Sequence, residues 1–369
     1  MKAIYFYTSI FRYMLARLAG KQYPTSLLPV RLTNIPAPEP PSGWLRVKVR
    51  LCGICKSDIA LIYGKSSIRI SPFFSFPAVL GHEIVGEVNG ERVVVNPIVA
   101  CRERGTPLCA ACTRGEDELC ENVAEGIFAP GMLGFCRDLP GGWGEWIVAH
   151  PQRLHTLPHK VADEQAVLAE PLSVVLRGLR LLSSNEKHNI LIIGAGTIGI
   201  LTVLCLRLLG FRCEIHVAAR HPQQAELAKR IGADHVHSSA RNASLAIGAK
   251  AYLPMIGPMV FRSGFSAVID AAGSQTSLEQ AVWAVREGGQ VLLLGAPGVM
   301  RHDFAPHWFR AIQFSGSYTY SHTDFRQAVD LLADLGFGRI VTRSFPLDNW
   351  RAAIKTAIKC PGIKAVFKP

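Results

Sequence analysis

The sequence has no block of five or six basic residues, no low-complexity tract and no internal repeat, and only 18% of its 369 residues are charged. The first absence removes the usual footprint of a nucleic-acid binder. Lys and Arg outnumber Asp and Glu by 40 to 28, a formal charge of +12, but the positive residues are scattered singly and in pairs. An anionic small molecule uses that surplus more economically than a polyanion or a membrane surface. Low charge beside 49% apolar residues excludes wholesale disorder. The first twenty residues lack an unbroken apolar core, since Arg12 and Arg17 interrupt it, and no small-residue cleavage site follows. An opening strand is expected there rather than an export signal. The longest apolar stretch, Ile190 to Leu209, carries three glycines and Arg207, so a buried strand and helix suit it better than a membrane span. The expectation is a cytoplasmic chain that engages neither nucleic acid nor membrane.

At about 150 residues per domain the length suggests two domains. Leu45 to Leu51 alternates apolar and basic residues, the pattern of a half-buried strand. Ile84 to Val88, Arg92 to Val95 and Glu145 to Ala149 read likewise, so the first part is predicted to be β-rich with long loops. From Asp163, where an acidic cap opens a helix towards Leu182, strands and helices alternate. Predicted strands are Ile190 to Ile193, Glu214 to Ala218, Ala267 to Asp270 and Gln290 to Leu294. Predicted helices are Thr197 to Leu209, Pro222 to Ile231 and Leu278 to Arg286. That alternation predicts an α/β chain with a doubly wound parallel sheet. The stretch 238–264 has no assignment. Helices from Thr323 to Leu335 and Leu347 to Ile358 and a strand Lys364 to Phe367 close the chain.

Three constellations carry chemistry. Gly194, Gly196 and Gly199, with Ala195, Thr197 and Ile198 between them, follow a strand and open a helix, the context of a dinucleotide-binding loop. The alternative is a glycine-tolerant helix start that binds nothing. The second strand ends in Ala219 and Arg220 rather than in an acidic residue. A small residue leaves room for a 2′-phosphate and Arg220 can meet it, which favours NADP over NAD; the alternative is an Arg on a solvated turn.

Cys101, Cys109, Cys112 and Cys120 gather four of the ten cysteines within twenty residues. Four soft thiolates suit a closed, structural zinc site, with two disulfides as the alternative. Cys55, His82 and Glu170 offer one thiolate, one imidazole and one carboxylate from distant points, a set able to hold a catalytic zinc with one position open. Cys52 and Cys55 could instead be a redox pair.

These residues together resemble the zinc-containing medium-chain dehydrogenase/reductase family, in particular its alcohol, polyol and threonine dehydrogenase branches. The resemblance runs from Cys55-Lys-Ser-Asp58 through Gly81-His-Glu83, the four cysteines, Glu170-Pro-Leu172, the glycine loop and Ser266 to Gly273, to the closing Lys364 to Pro369. It implies a GroES-like catalytic domain over 1–171 with the four-cysteine lobe at 101–120, a Rossmann domain over 172–310 and a returning segment over 311–369. It implies one catalytic and one structural zinc per chain, and an active site in the cleft between the domains. It places Cys55 and His82 on the catalytic zinc with Glu170 as third ligand, Glu83 competing for that role. Asp58 resembles the carboxylate that orients the ligand imidazole, Ser57 the hydroxyl that passes the alcohol proton, and Lys56 a basic group near the pyrophosphate. Two departures stand out. Ile59-Ala-Leu61 holds no His to end the proton relay, and five residues appear inserted between Cys101 and Cys109.

The implied activity is hydride transfer between NADP(H) and an alcohol/carbonyl pair, with a polyol, sugar or amino alcohol as substrate, by a homodimer or homotetramer. Two alternatives are a zinc-independent reductase of the same fold and a non-catalytic, NADP(H)-sensing zinc protein.

Overall fold

The computed structural model describes residues 1–7, 9–182, 189–334, 340–359 and 364–369. Among the described residues two compact units emerge, one of Met1–Ser173, 320–359 and Lys364–Pro369, the other of Val174–Thr319.

The first unit is organised by strand Leu45–Gly53. Its alternation buries Val47, Val49 and Leu51 while Arg46 and Lys48 stay exposed, as a sheet with one solvated face requires. Its last residues, Leu51 to Gly53, are buried without alternation, because Ile84–Val88 pairs along one edge and Lys364–Phe367 along the other. Among the described residues the sheet runs Val341–Phe345, Lys364–Phe367, Leu45–Gly53, Ile84–Val88, Glu91–Val95, Leu154–Thr156, with Trp146–Ala149 also on Leu45–Gly53. Val47, Val93, Val95, Trp143, Ile147 and Phe367 form its core. The strands predicted for this unit are present with ends shifted by two residues or fewer, whereas the strand predicted over Gln290 to Leu294 in the second unit begins five residues earlier, at Val285.

The opening strand is Lys2–Phe6, paired with Val30–Asn34. A helix that the sequence reading did not anticipate follows at Ile10–Ala19, its first turn capped by the Ser9 side chain. It turns Ile10, Phe11 and Leu18 outward, 81%, 73% and 81% exposed. The predicted helix from Asp163 is two helices, Asp163–Ala166 and Ala169–Arg180. Pro171 explains the break, since it cannot donate the next helical hydrogen bond and is tolerated in a first turn. The helix predicted from Thr323 is observed over His322–Leu331, with a 3₁₀ turn to Asp334; its predicted end at Leu335 lies outside the described residues.

Among the described residues the second unit holds six parallel strands in the order His235–His237, Glu214–Ala218, Asn189–Ile193, Phe265–Asp270, Val285–Leu293, Gln313–Gly316. Ile190 to Ile192 and Val268 to Ile269 are wholly buried, as expected of a parallel sheet covered on both faces. The unassigned stretch contains helix Ala240–Ala246 and an antiparallel pair, Lys250–Tyr252 with Val260–Arg262. Among the described residues no helix is long and apolar enough to cross a membrane.

Candidate functional site

The fully buried end of Leu45–Gly53 delivers Cys55 to the start of helix Lys56–Ile62. Asp58, in that helix's first turn, accepts a hydrogen bond from the Cys55 amide at 3.0 Å and so fixes the cap. Its other oxygen stands 3.4 Å from His82 Nδ1. Asp58 is fully buried and His82 4% exposed. Burial works against the imidazolium, but Asp58 and Cys55 hold the His82 pKa well above the usual range. The contact also turns the other ring nitrogen away from Asp58.

Donor atoms of Cys55, His82 and Glu83 lie within 4.8 Å of one another. The structure thus groups Glu83 most tightly with the first two. Glu170, in the first turn of Ala169–Arg180, is outside that trio but is felt by it. Burial lifts its pKa to about 7, opposed by His82 and reinforced by Glu83. Ser57 is half-buried and Lys56 exposed in the helix's first turn. Cys52 is fully buried, and its thiol is pushed well up by burial and by Asp58. That makes it a poor thiolate and argues against a redox pair with Cys55.

Two residues here escaped sequence reasoning. Lys364, 4% exposed, forms a buried ion pair with the Glu83 carboxylate. Burial works against its charge, yet Glu83 and Cys55 keep its pKa above the ordinary lysine range. Tyr320 is fully buried and interacts with Glu170. The one available signal for Lys364 was its place at the head of an otherwise apolar strand.

The sulfurs of Cys101, Cys109, Cys112 and Cys120 also lie within 4.8 Å of one another. Cys109 caps a one-turn helix, and amides of Cys112 and Glu121 point at its sulfur at 3.5 and 3.4 Å. The Cys109 amide and Asn122 Nδ2 point at Cys101 Sγ at 3.4 and 3.3 Å. Burial disfavours every thiolate, but the Cys109 amide, the Thr106 hydroxyl and the neighbouring thiols bring Cys101 down to about 6, and the Cys112 and Glu121 amides bring Cys109 below its usual value. Cys112 and Cys120 are raised, chiefly by burial. All four are free thiols. The wider first loop is anchored by Arg104, fully buried, whose guanidinium donates to carbonyls of Val99, Glu125, Phe128 and Gly131. Neighbouring Glu103 takes a two-pronged ion pair from buried Arg153 at 2.9 and 3.0 Å.

In the second unit, Gly194 ends Asn189–Ile193 with φ +99°, a conformation that favours glycine. A Cβ on Gly199 would sit 1.8 Å from the Gly194 carbonyl oxygen, so only glycine lets the helix start this close to the strand. Gly196 is the N-cap of Thr197–Leu208, whose first turn contains Thr197 and Ile198; a helix start of this kind presents backbone amides and suits an anion. At the end of the neighbouring strand Ala219 is buried and Arg220 exposed.

Donor chemistry allows a test of fit. One sulfur, one nitrogen and one carboxylate oxygen converging in a buried site match a zinc with an open position, and four convergent sulfurs ringed by N–H donors match a closed one.

Residues 41–159 match the alcohol dehydrogenase GroES-like domain, and residues 197–334 match the zinc-binding dehydrogenase domain. The starvation-sensing protein RspB of Escherichia coli (strain K12) is 30% identical over 271 residues, 70% of this chain and 71% of that protein. Sorbitol dehydrogenase of Ovis aries is 28% identical over 360 residues, 92% of this chain and 93% of that enzyme. Alcohol dehydrogenase TADH from Thermus sp. ATN1 superposes with a TM-score of 0.75 at 24% identity, covering 100% of both chains; that likeness speaks for the fold. The chain belongs to the zinc-containing medium-chain dehydrogenase/reductase family and is an oxidoreductase of its alcohol dehydrogenase type.

Proposed function

We propose that this enzyme transfers a hydride between NADP(H) and the alcohol/carbonyl pair of a polyol, sugar or amino alcohol. The observation that carries this reading is the convergence of Cys55, His82 and Glu83 donors, with Asp58 behind His82. Similarity to sorbitol dehydrogenase over most of both chains supports the polyol class.

The first unit supplies the catalytic groups. Cys55, His82 and Glu83 would hold zinc, which when bound supplies a Lewis acid that acidifies a hydroxyl and polarises a carbonyl. Asp58 fixes the His82 ring and raises its basicity as a donor. Lys364 balances the negative charge that Glu83 and Cys55 bring into a buried site. Glu170, buried and electrostatically coupled to His82 and Glu83, would offer a second carboxyl to the same site, and Ser57 Oγ would pass the alcohol proton outward. Ile59, Ala60 and Leu61 offer no titratable group to receive it, so water or a cofactor hydroxyl completes the path.

The second unit binds the cofactor, which when bound supplies the hydride acceptor. Amides of the turn from Gly194 to Ile198 would hold its pyrophosphate, while Ala219 leaves room for the 2′-phosphate that Arg220 engages. The four-cysteine lobe holds a structural zinc, and nine free thiols among the described residues suit a reducing cytoplasm. Strand Gln313–Gly316 is last in the order of the parallel sheet among the described residues. Its Phe314 and, on the preceding helix Ala305–Arg310, Trp308 and Phe309 are exposed, a surface that a second copy in a homodimer or homotetramer would cover.

Two outcomes check the ligand assignments. Glu83→Gln is expected to weaken zinc retention at the first site at least 10–100-fold, on the order seen for groups supporting a metal, with Glu170→Gln retaining the ion and losing turnover. Metal retention in the opposite order moves the third-ligand role to Glu170. Cys112→Ser is expected to remove one zinc per chain and speed proteolytic cleavage of the 101–120 lobe by roughly tenfold, since metal binding is local folding energy there. An unchanged cleavage rate contradicts a structural zinc.

A further inference from the structure

Strands Glu214–Ala218 and His235–His237 run parallel, with His216 beside His235 and Ala218 beside His237. Side chains two residues apart share a face, so Glu214 and His216 stand together on one strand and His235 and His237 on the other. We propose that Glu214, His216 and His235 form a further metal site, taking a borderline divalent transition ion such as Zn²⁺ at the edge of the parallel sheet.

Donor atoms of these three residues lie within 4.8 Å of one another. His216 is 3% exposed and its Nε2 is buried without a hydrogen-bond partner. The nearest carboxylate oxygen, Glu214 Oε2, is 3.5 Å away, too far to satisfy that nitrogen. A buried polar atom left in this state calls for an explanation, and a cation between the imidazole and the carboxylate provides one.

The rest of the cluster prepares His216 for that task. Its Nδ1 is 3.1 Å from His237 Nε2. With the proton on His216 Nδ1 donated to His237, the Nε2 lone pair faces Glu214 and His235, the arrangement that metal-bound histidines adopt when the second nitrogen is held by a neighbour. The His237 ring lies nearly coplanar with His216, at an interplanar angle of 6°, as that in-plane contact requires, and Phe265 meets the His216 ring edge-on with centroids 5.0 Å apart, so its orientation is fixed. Glu214 and His235 are exposed, so their side chains can close on an ion arriving from solvent, leaving a fourth position for water. Two imidazoles and one carboxylate select zinc, nickel or copper over magnesium or calcium. Occupied, the site would tie the edge strand to Glu214–Ala218, the strand that leads to Arg220.

The test compares metal content by mass spectrometry in the full-length chain and its His235→Asn and Glu214→Gln variants, each equilibrated with micromolar free Zn²⁺. Only the difference is read, so zinc on the cysteine sites cancels, and failure here is separable from failure of the dehydrogenase reading. Wild type is expected to hold one ion per chain more than either variant, all three melting at the same temperature in metal-free buffer. Cu²⁺ added to the zinc-loaded chain should show coupling to imidazole nitrogen in its paramagnetic resonance spectrum, lost in His235→Asn. Equal metal content in wild type and His235→Asn, or a copper spectrum that the substitution leaves unchanged, overturns the proposal.

Discussion

Replacing Cys55 or His82 by Ala should cut turnover by about 10³-fold or more while leaving cofactor affinity within a few-fold of wild type. The size follows from what is lost: a preorganised positive centre at the reacting oxygen, where even one hydrogen-bond donor is worth about 10²–10³ in rate. Each substitution also removes one of three convergent donors. His82→Ala further leaves Asp58, fully buried, without its neighbouring ring, so some loss of stability should accompany it. The signature that separates this account from general damage is selective. One zinc per chain disappears, the four-cysteine lobe keeps its own, and cofactor titration by fluorescence is preserved. Substantial residual turnover without that zinc would favour the zinc-independent alternative.

Arg220→Ala should raise the KM for NADP by roughly 10- to 100-fold and barely change that for NAD. A hydrogen bond to a charged group contributes about 1.5–3 kcal/mol, and tenfold in affinity corresponds to about 1.4 kcal/mol. The exposed position of Arg220 places the effect at the lower end, because solvent screens the pair. Steady-state kinetics with both cofactors decide it. If NAD is already bound at least as tightly as NADP in wild type, Arg220 is a residue on a solvated turn.

What the sequence disclosed depended on whether a local pattern reports its own environment. Leu45–Gly53 and Ile84–Val88 were legible because alternation, or an unbroken apolar run, records burial directly. The glycine loop was legible because each glycine answers a backbone demand, as the positive φ of Gly194 and the space denied to a Cβ on Gly199 illustrate. Helix Ile10–Ala19 was not, since Ala16 is its one fully buried residue and its large apolar side chains face outward. Residues 238–264 combine a short helix with a hairpin whose Met255 and Ile256 are exposed, so no apolar period marks either.

At the candidate site, residues inside strong local motifs could be named from sequence, and residues defined by long-range contact could not. Lys364 reads as an ordinary strand-end lysine until the fold sets it against Glu83, 281 positions away. Which of Glu83 and Glu170 groups with Cys55 and His82 is a matter of geometry that spacing does not contain. The histidine cluster hid for the same reason, because His216 and His235 are brought together by parallel pairing of two strands.

The central claim is zinc-dependent hydride transfer between a nicotinamide cofactor and an alcohol. Its most direct measurement is cofactor reduction by the purified, zinc-replete chain across simple alcohols, polyols, sugars and 3-hydroxy amino acids, with NADP and NAD run side by side and a zinc-depleted sample as reference. The account predicts NADP-linked turnover on a polyol, sugar or amino alcohol that vanishes on depletion and returns with added Zn²⁺. Turnover that survives complete loss of zinc, or a chain that binds neither nicotinamide cofactor, would contradict it.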